Sequence, residues 1–298
     1  MPTIVIIGES GQLAQSLKQL QWPRGSTLEF VGRRRVPAGD PAAIAEAAAA
    51  LKPDLLLNAA AYTAVDRAES DQRAAVALNA ELPRRLASLA QRLSIPLVHV
   101  STDYVFDGAK RAPYLESDVP NPLSVYGATK LAGDRAIVAA QLQRWAILRS
   151  SWVISEIGET FPVKILRRAR QGEALRVVDD QLGCPTMAAD LARAMQTIGL
   201  KLLDRDSASL GLLNFCAATP MTWHQLAESL VTVAQQAGVP RVPVQAISSA
   251  ELNAPARRPA YSILDCTQIA TVHGIQPTPI EGWIGPVVRS ILARQASC

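Results

Sequence analysis

The chain opens with an unbroken apolar run, Thr3-Ile4-Val5-Ile6-Ile7, that stops at Gly8. A continuous run of β-branched residues at this length predicts a strand buried on both faces, as in a parallel sheet. Shorter apolar runs at 28–32, 55–57, 97–100 and 146–148 predict further parallel strands. Between them, 42–51, 72–93 and 124–143 carry helical spacing or alanine-rich helix formers, the second interrupted by Pro83. This alternation predicts an α/β fold with a doubly wound parallel sheet. After about Ser151 the rhythm changes. Runs at Leu175–Val178 and 212–215 stand between longer irregular stretches, and Pro240, Pro243, Pro255, Pro259, Pro277 and Pro279 punctuate the rest. The expectation is one domain over 1–150, with later segments around 187–217 returning to its sheet, and a smaller, partly discontinuous substrate domain over 151–298.

Composition narrows the class. At 298 residues, 49% of them hydrophobic, the chain can bury a sizeable core in one large or two unequal domains. No apolar run reaches the roughly 18 residues of a membrane span, so no membrane partner is expected. The N-terminus runs straight into a strand without a basic leader, which predicts a cytoplasmic protein. Cys184, Cys216, Cys266 and Cys298 lack metal-ligand spacing and read as free thiols. His99, His224 and His273 show no ligand spacing and read as structural. A net charge of +4 without a basic stripe gives nucleic-acid binding no support.

The turn after the first strand, Gly8-Glu9-Ser10-Gly11-Gln12-Leu13, changes the picture. Glycines here let the backbone turn tightly and approach a pyrophosphate at a helix N-terminus. The third small position is Ala14. After the second strand comes Arg33-Arg34-Arg35, where an acidic residue would take the ribose 2′-hydroxyl of NAD. Arginines there suit the 2′-phosphate of NADP, so NADPH is the expected cofactor, with NADH a weaker alternative.

Chemistry is concentrated in two segments, Ser101-Thr102-Asp103-Tyr104-Val105-Phe106 and Tyr126-Gly127-Ala128-Thr129-Lys130. Tyr126 and Lys130 are four apart and share a helix face. An ammonium beside a phenol favours the phenolate, which predicts a lowered Tyr126 pKa and a proton donor for a carbonyl. Thr102 or Ser101, at the end of the preceding strand, is placed to hold the same oxygen.

These segments resemble the extended short-chain dehydrogenase/reductases and, within them, the dTDP-4-dehydrorhamnose reductases. The resemblance also covers Asn58-Ala59-Ala60-Ala61-Tyr62-Thr63-Ala64-Val65-Asp66, Arg149-Ser150-Ser151-Trp152, Asp180-Gln181 with Gly183 and Pro185-Thr186, and Ala256-Arg257-Arg258-Pro259 with Tyr261-Ser262 and Leu264-Asp265. Asp134 stands where the family usually has glutamate. The resemblance implies a Rossmann fold and NADPH-dependent reduction of the C4 keto group of dTDP-4-dehydro-6-deoxy-L-mannose to dTDP-L-rhamnose. It implies Tyr126 as general acid, Lys130 on the nicotinamide ribose and Thr102 on the C4 oxygen. Gly8, Ser10, Gly11, Gln12 and Leu13 would form the pyrophosphate turn, Arg33 and Arg34 would meet the 2′-phosphate, and Ala59, Ala60, Ala61 and Thr63 would run along the cofactor. Asp103, Tyr104 and Trp152 would line the sugar pocket, and Arg257 and Arg258 would grip the substrate diphosphate.

Sister chemistries stay in view. Related dehydratases carry Thr-Asp-Glu where this chain has Tyr104 in third place, so their acid pair is missing. Epimerases retain the Tyr-x-x-x-Lys pair; their usual third glycine is Ala14 here. The non-catalytic regulatory subunit of methionine adenosyltransferase shares several motifs, against which the intact Thr102, Tyr126 and Lys130 argue. Some family members hold magnesium at a dimer interface through glutamates. The matching positions include Ser16 and Ala189, so no metal is expected, and a monomer or weak homodimer without a metal bridge.

Overall fold

The computed structural model describes residues 1–37, 39–204 and 210–296. Its central sheet is built from β1 (Thr3–Ile7), β2 (Thr27–Val31), β3 (Leu55–Asn58), β4 (Leu97–Thr102) and β5 (Trp145–Ser150). Four short strands follow: β6 (Val153–Ile154), β7 (Leu175–Val178), β8 (Leu182–Gly183) and β9 (Thr186–Met187). Then β10 (Gly211–Asn214) returns to the sheet, and β11 (Met221–Thr222) and β12 (Val244–Ile247) close the series. The order in the six-stranded sheet is β10-β5-β4-β3-β1-β2, all parallel.

The unbroken apolar run of β1 has a physical reason. Side chains alternate across a strand. Ile4 and Ile6 enter one core with Leu13, Leu17, Leu191 and Ile198, whereas Val5 and Ile7 enter another with Ile44, Leu86 and Ile137. Helices Gln12–Gln19 and Ala188–Leu203 cover the first face. Helices Pro41–Ala50, Leu82–Leu93 and Val125–Ala139 cover the second. With helices on both sides of a parallel sheet, this is the Rossmann arrangement expected.

A separate core holds the later part of the chain. Ile165, Leu166, Leu226, Leu230 and Val288 pack helices Phe161–Arg170, Trp223–Gln236 and Ile284–Ala296 on one another. The parallel β12–β7 pair lies against them. Val105, Phe106, Tyr114, Leu131, Cys184, Cys216 and Leu264 form a smaller cluster of their own.

Two elements differ in detail from expectation. Residues 72–93 are helical throughout but in three pieces: Gln72–Val76, a π turn over Ala77–Glu81, then Leu82–Leu93. Pro83 sits in the first turn of the last piece, where its missing N–H costs little, and the π turn absorbs the change in register. The helix expected over 124–143 is Val125–Ala139, started by the Ser124 hydroxyl, which accepts from the Gly127 amide at 3.2 Å. Of the segment around 187–217, helix Ala188–Leu203 and β10 lie on the sheet, and 205–209 fall outside the described residues. Cys184, Cys216 and Cys266 are free thiols, and Cys298 is outside the described residues. Among the described residues no helix is long and apolar enough to cross a membrane.

Candidate active site

The chain leaves β1 for β2 on one side and returns to β3 on the other, so a crevice opens at the strand ends where the order reverses. A cavity of about 560 Å³ fills it. One end is the turn after β1. Gly8 has φ +110°, and a Cβ there would stand 3.3 Å from the Ala59 carbonyl carbon and the Ala60 nitrogen, so only glycine fits. Ser10, Gly11, Gln12 and Leu13 line the cavity; Gly8 supports the turn from beneath. Helix Gln12–Gln19 starts at Gly11 with no side-chain cap, and a Cβ on Gly11 would meet nothing within 4 Å. The start of the helix is therefore uncapped and open at Gly11, where a diphosphate is accommodated without displacing a side chain. Gln12 Nε2 donates to the Val153 carbonyl at 2.8 Å, and its buried Oε1 has no partner. Ala59, Ala60, Ala61 and Thr63 form the adjoining wall. These features fit a dinucleotide.

Arg33 and Arg34 lie in the exposed turn after β2, outside the cavity lining. Arg34 is paired with Glu9 of the glycine turn, and Arg35 with Glu29. The basic turn thus abuts the pyrophosphate turn and remains open to solvent.

The other end of the cavity gathers Thr102, Tyr126 and Lys130. The structure separates the two candidate hydroxyls. Ser101 Oγ donates to Asp134 Oδ2 at 2.8 Å, behind the site. Thr102 Oγ1 lies beside the Tyr126 phenol, accepts from the Tyr104 amide at 3.2 Å and donates to Asp103 Oδ1 at 3.0 Å.

Tyr126 departs from the sequence expectation. Burial pushes its phenol up to about 12; the Thr102 hydroxyl opposes this, while Asp103 and Asp134 add to it. Lys130 does not reverse the shift because its own ammonium is engaged elsewhere. Nζ donates to the Val100 carbonyl at 2.6 Å and faces His99 Nε2 at 3.3 Å. Burial pushes Lys130 down to about 8, against the pull of Asp134. Tyr126 therefore holds its proton firmly in the ligand-free protein.

His99, expected to be structural, stands directly behind Lys130. Asn58 Oδ1 takes the Ala60 amide at 3.2 Å, so its Nδ2 donates to His99 Nδ1 at 2.9 Å. The ring proton is then on Nε2. Burial first and Lys130 second push the imidazole well below its usual range, so it is neutral. Asp134 is buried beside Ser101 and Arg149, with Arg149 Nε 3.5 Å away. Asn79 is a second residue that sequence reasoning missed. From the π turn it bonds the Tyr62 amide at 2.8 Å and Thr129 Oγ1 at 3.1 Å, tying the alanine wall to the Tyr126 helix. Nothing in the local pattern marks a π turn.

On the substrate side, Asp103 and Tyr104 line the cavity. Tyr104 meets Tyr126 edge to face, with centroids 5.9 Å apart at 81°. Trp152 adopts φ +45° and stacks on Trp223 at 3.7 Å and 6°. Phe161 leans on Trp223 at 4.6 Å, and all three rings line the cavity. Trp223 and Phe161 come from the second core, and neither carries a sequence signal. Arg257 is exposed and, like Arg258, does not line the cavity. Arg258 bonds Asp66 through both nitrogens, at 2.9 and 2.8 Å, and stands against the Tyr104 hydroxyl. Ser16 Oγ is turned to the Gln12 carbonyl at 3.0 Å, and Ala189 lies in helix Ala188–Leu203. Among the described residues no group of three or more His, Cys, Asp or Glu is placed to hold a metal.

A protonated phenol, a hydroxyl and a buried amine at one end of a cleft, with a helix N-terminus at the other, suit proton delivery to a carbonyl beside a dinucleotide. The comparisons with known proteins agree with that chemistry. The model of the RmlD substrate binding domain matches residues 2–292. The dTDP-4-dehydrorhamnose reductase of Sinorhizobium fredii is 39% identical over 274 residues, 92% of each chain. A probable dTDP-4,6-dihydroxy-2-methyloxan-3-one 4-ketoreductase of Streptomyces antibioticus is 37% identical over 261 residues, covering 87% of this chain and 85% of that one. The crystal structure of a dTDP-4-dehydrorhamnose reductase from Bacillus anthracis, in complex with NADP, superposes with a TM-score of 0.85 at 27% identity, over 98% of this chain and 99% of that one. Matched by the family model over almost its whole length, the chain belongs to the RmlD substrate binding domain family, that of the dTDP-4-dehydrorhamnose reductases.

Proposed function

We propose that this protein reduces the C4 keto group of dTDP-4-dehydro-6-deoxy-L-mannose with NADPH, giving dTDP-L-rhamnose. The observation that carries the reading is the meeting of Thr102, Tyr126 and Lys130 in the cavity that also holds the glycine turn. NADPH, when bound, supplies the hydride. The chain's own residues do the rest. Gly8, Ser10, Gly11, Gln12 and Leu13 hold the diphosphate on backbone amides, Arg33 and Arg34 reach the 2′-phosphate, and Ala59, Ala60, Ala61 and Thr63 bound the cofactor. Thr102 holds the C4 oxygen, and Tyr126 delivers the proton as negative charge develops there. Lys130 binds the nicotinamide ribose. Asp103, Tyr104 and Trp152 shape the sugar pocket. Arg257 is free to approach a substrate phosphate, whereas Arg258 would first have to leave Asp66.

The residues at the family's metal positions do not suit magnesium. Ala189 offers no side-chain oxygen, and the Ser16 hydroxyl is spent on its own helix. We infer a metal-independent, cytoplasmic enzyme, monomeric or weakly dimeric. A second substrate reading, another nucleotide-linked 4-keto sugar, is favoured by the likeness to the Streptomyces antibioticus ketoreductase. The deciding experiment is NADPH oxidation over a panel of nucleotide-linked 4-keto sugars. Fastest turnover with the dTDP-4-keto-6-deoxy-L-mannose supports the first reading, preference for another sugar supports the second, and no oxidation with any of them sinks both.

A further inference from the structure

Asp103 opens the short 3-10 turn that follows Thr102, the last residue of β4, and is only 1% exposed. Its Oδ1 takes the Thr102 hydrogen at 3.0 Å, and the Ser262 hydroxyl faces the same carboxyl. An ionised carboxylate so far from water is costly even with these partners.

Thr102 is committed in turn. A hydroxyl has one hydrogen to give and two lone pairs with which to accept. One lone pair takes the Tyr104 amide at 3.2 Å, and the single hydrogen goes to Asp103. With Asp103 ionised, Thr102 has no hydrogen left for the oxygen of a bound ketone. Its second lone pair is open to the neighbouring Tyr126 phenol, which draws that hydrogen away from the ketone as well. A protonated Asp103 reverses both relations. The carboxyl then donates to Thr102 Oγ1 and fills the second lone pair. Thr102 must point its own hydrogen elsewhere, and so must Tyr126.

We propose that Asp103 is a positioning residue for the reduction, acting through Thr102: as a carboxylic acid it turns the Thr102 and Tyr126 hydrogens together onto the C4 oxygen of the keto sugar. This rests on the reductase reading given above. The groups that face the carboxyl are the Thr102 and Ser262 hydroxyls and the Tyr104 and Tyr126 phenols, with Arg258 behind Tyr104. Burial pushes Asp103 up to about 7, against the Ser262 and Thr102 hydroxyls, so the acid form persists toward neutral pH.

Two measurements on the whole protein test it. The first is the infrared carboxyl band, as a difference between wild type and Asp103→Asn, titrated from about pH 5 to pH 9. A band that titrates near neutrality and moves to higher pH in Thr102→Val is expected, because the Thr102 hydrogen bond favours the charged form. The second is kcat against pH with saturating keto sugar and NADPH. A group titrating near neutrality makes wild-type kcat roughly tenfold lower at about pH 8 than at pH 6. In Asp103→Asn the amide can donate to Thr102 at any pH, so that ratio should stay within about twofold. If no band titrates, if Thr102→Val leaves it unmoved, or if Asp103→Asn keeps the wild-type decline, the proposal is overturned. If the band behaves as expected but no keto sugar is reduced, the reductase reading has failed and the proposal falls with it.

Discussion

Lys130 and His99 stand nitrogen to nitrogen inside the protein, Nζ 3.3 Å from Nε2. The Asn58 amide occupies the other ring nitrogen, so the imidazole turns an N–H toward the lysine. Burial disfavours the ammonium and brings Lys130 down to about 8, against the pull of Asp134. The charge is complete below that pH and is lost above it. If the ammonium binds the nicotinamide ribose, NADPH should bind more weakly as pH rises from about 7 to about 9. Lys130→Met should bind weakly across the whole range and lose the dependence. Titration calorimetry over pH checks this; a wild-type Kd that stays flat would remove Lys130 from the ribose.

Tyr126 enters the reaction with its proton secure, held up to about 12 by burial. Tyr126→Phe keeps the ring and its edge-to-face contact with Tyr104 but removes the donor. Turnover should fall by at least about 10²-fold, the usual scale of general acid catalysis. NADPH affinity should hold, since the glycine turn and Lys130 are untouched. Single-turnover reduction together with a cofactor titration reads both, and near-normal turnover in the variant would displace Tyr126 as the acid.

Arg33 and Arg34 are exposed and lie outside the cavity lining, with the Arg34 side chain 78% accessible and paired to Glu9. An exposed ion pair contributes little to stability, so neutral replacements should fold normally. Charge-assisted hydrogen bonds to a phosphate are stronger, which sets a loss of NADPH affinity of about tenfold or more. NADH lacks the 2′-phosphate, and its affinity should change by no more than about twofold. Kd values for both cofactors on Arg33→Gln/Arg34→Gln decide it; equal weakening would mean that the arginines act only as a general positive field.

The parts of this site that were legible in the sequence are those encoded locally. β1 is readable because both its faces are buried, so no polar position interrupts Ile4–Ile7. Tyr126 and Lys130 are readable because helix periodicity alone puts them on one face. Thr102 and Asp103 follow a strand end that the hydrophobic pattern marks. What stayed hidden depends on segments far apart in the chain. Arg258 reads as a solvated or phosphate-binding arginine until the fold brings Asp66 to it. Nor does a lone tryptophan at the start of a helix announce that Trp223 will lie on Trp152. The π turn that sets Asn79 escapes notice because its one buried residue is polar and its neighbours are ordinary helix formers. The Tyr126 pKa went the other way from expectation because spacing shows which charges are near but not how much water is excluded.

Gly183 supports the last expectation, which concerns the sugar side of the cavity. A Cβ at Gly183 would stand 2.5 Å from Cε2 and 2.7 Å from Nε1 of the Trp152 indole. That ring is held in a stack, with Trp223 parallel to it at 3.7 Å and Phe161 packed on Trp223. Gly183→Ala must therefore tilt the indole or part the stack. Either change moves the wall of the sugar pocket while leaving the glycine turn and the Tyr126 helix where they are. KM for the keto sugar should rise by about fivefold, the loss typical of a displaced aromatic contact of about 1 kcal/mol. NADPH affinity should be unchanged. Trp223→Leu, which gives the indole room, should recover part of the loss when added to Gly183→Ala, as coupled neighbours do. Steady-state kinetics on the two single variants and the pair are sufficient. A Gly183→Ala enzyme with the wild-type KM would show that the Trp152 face does not touch the sugar.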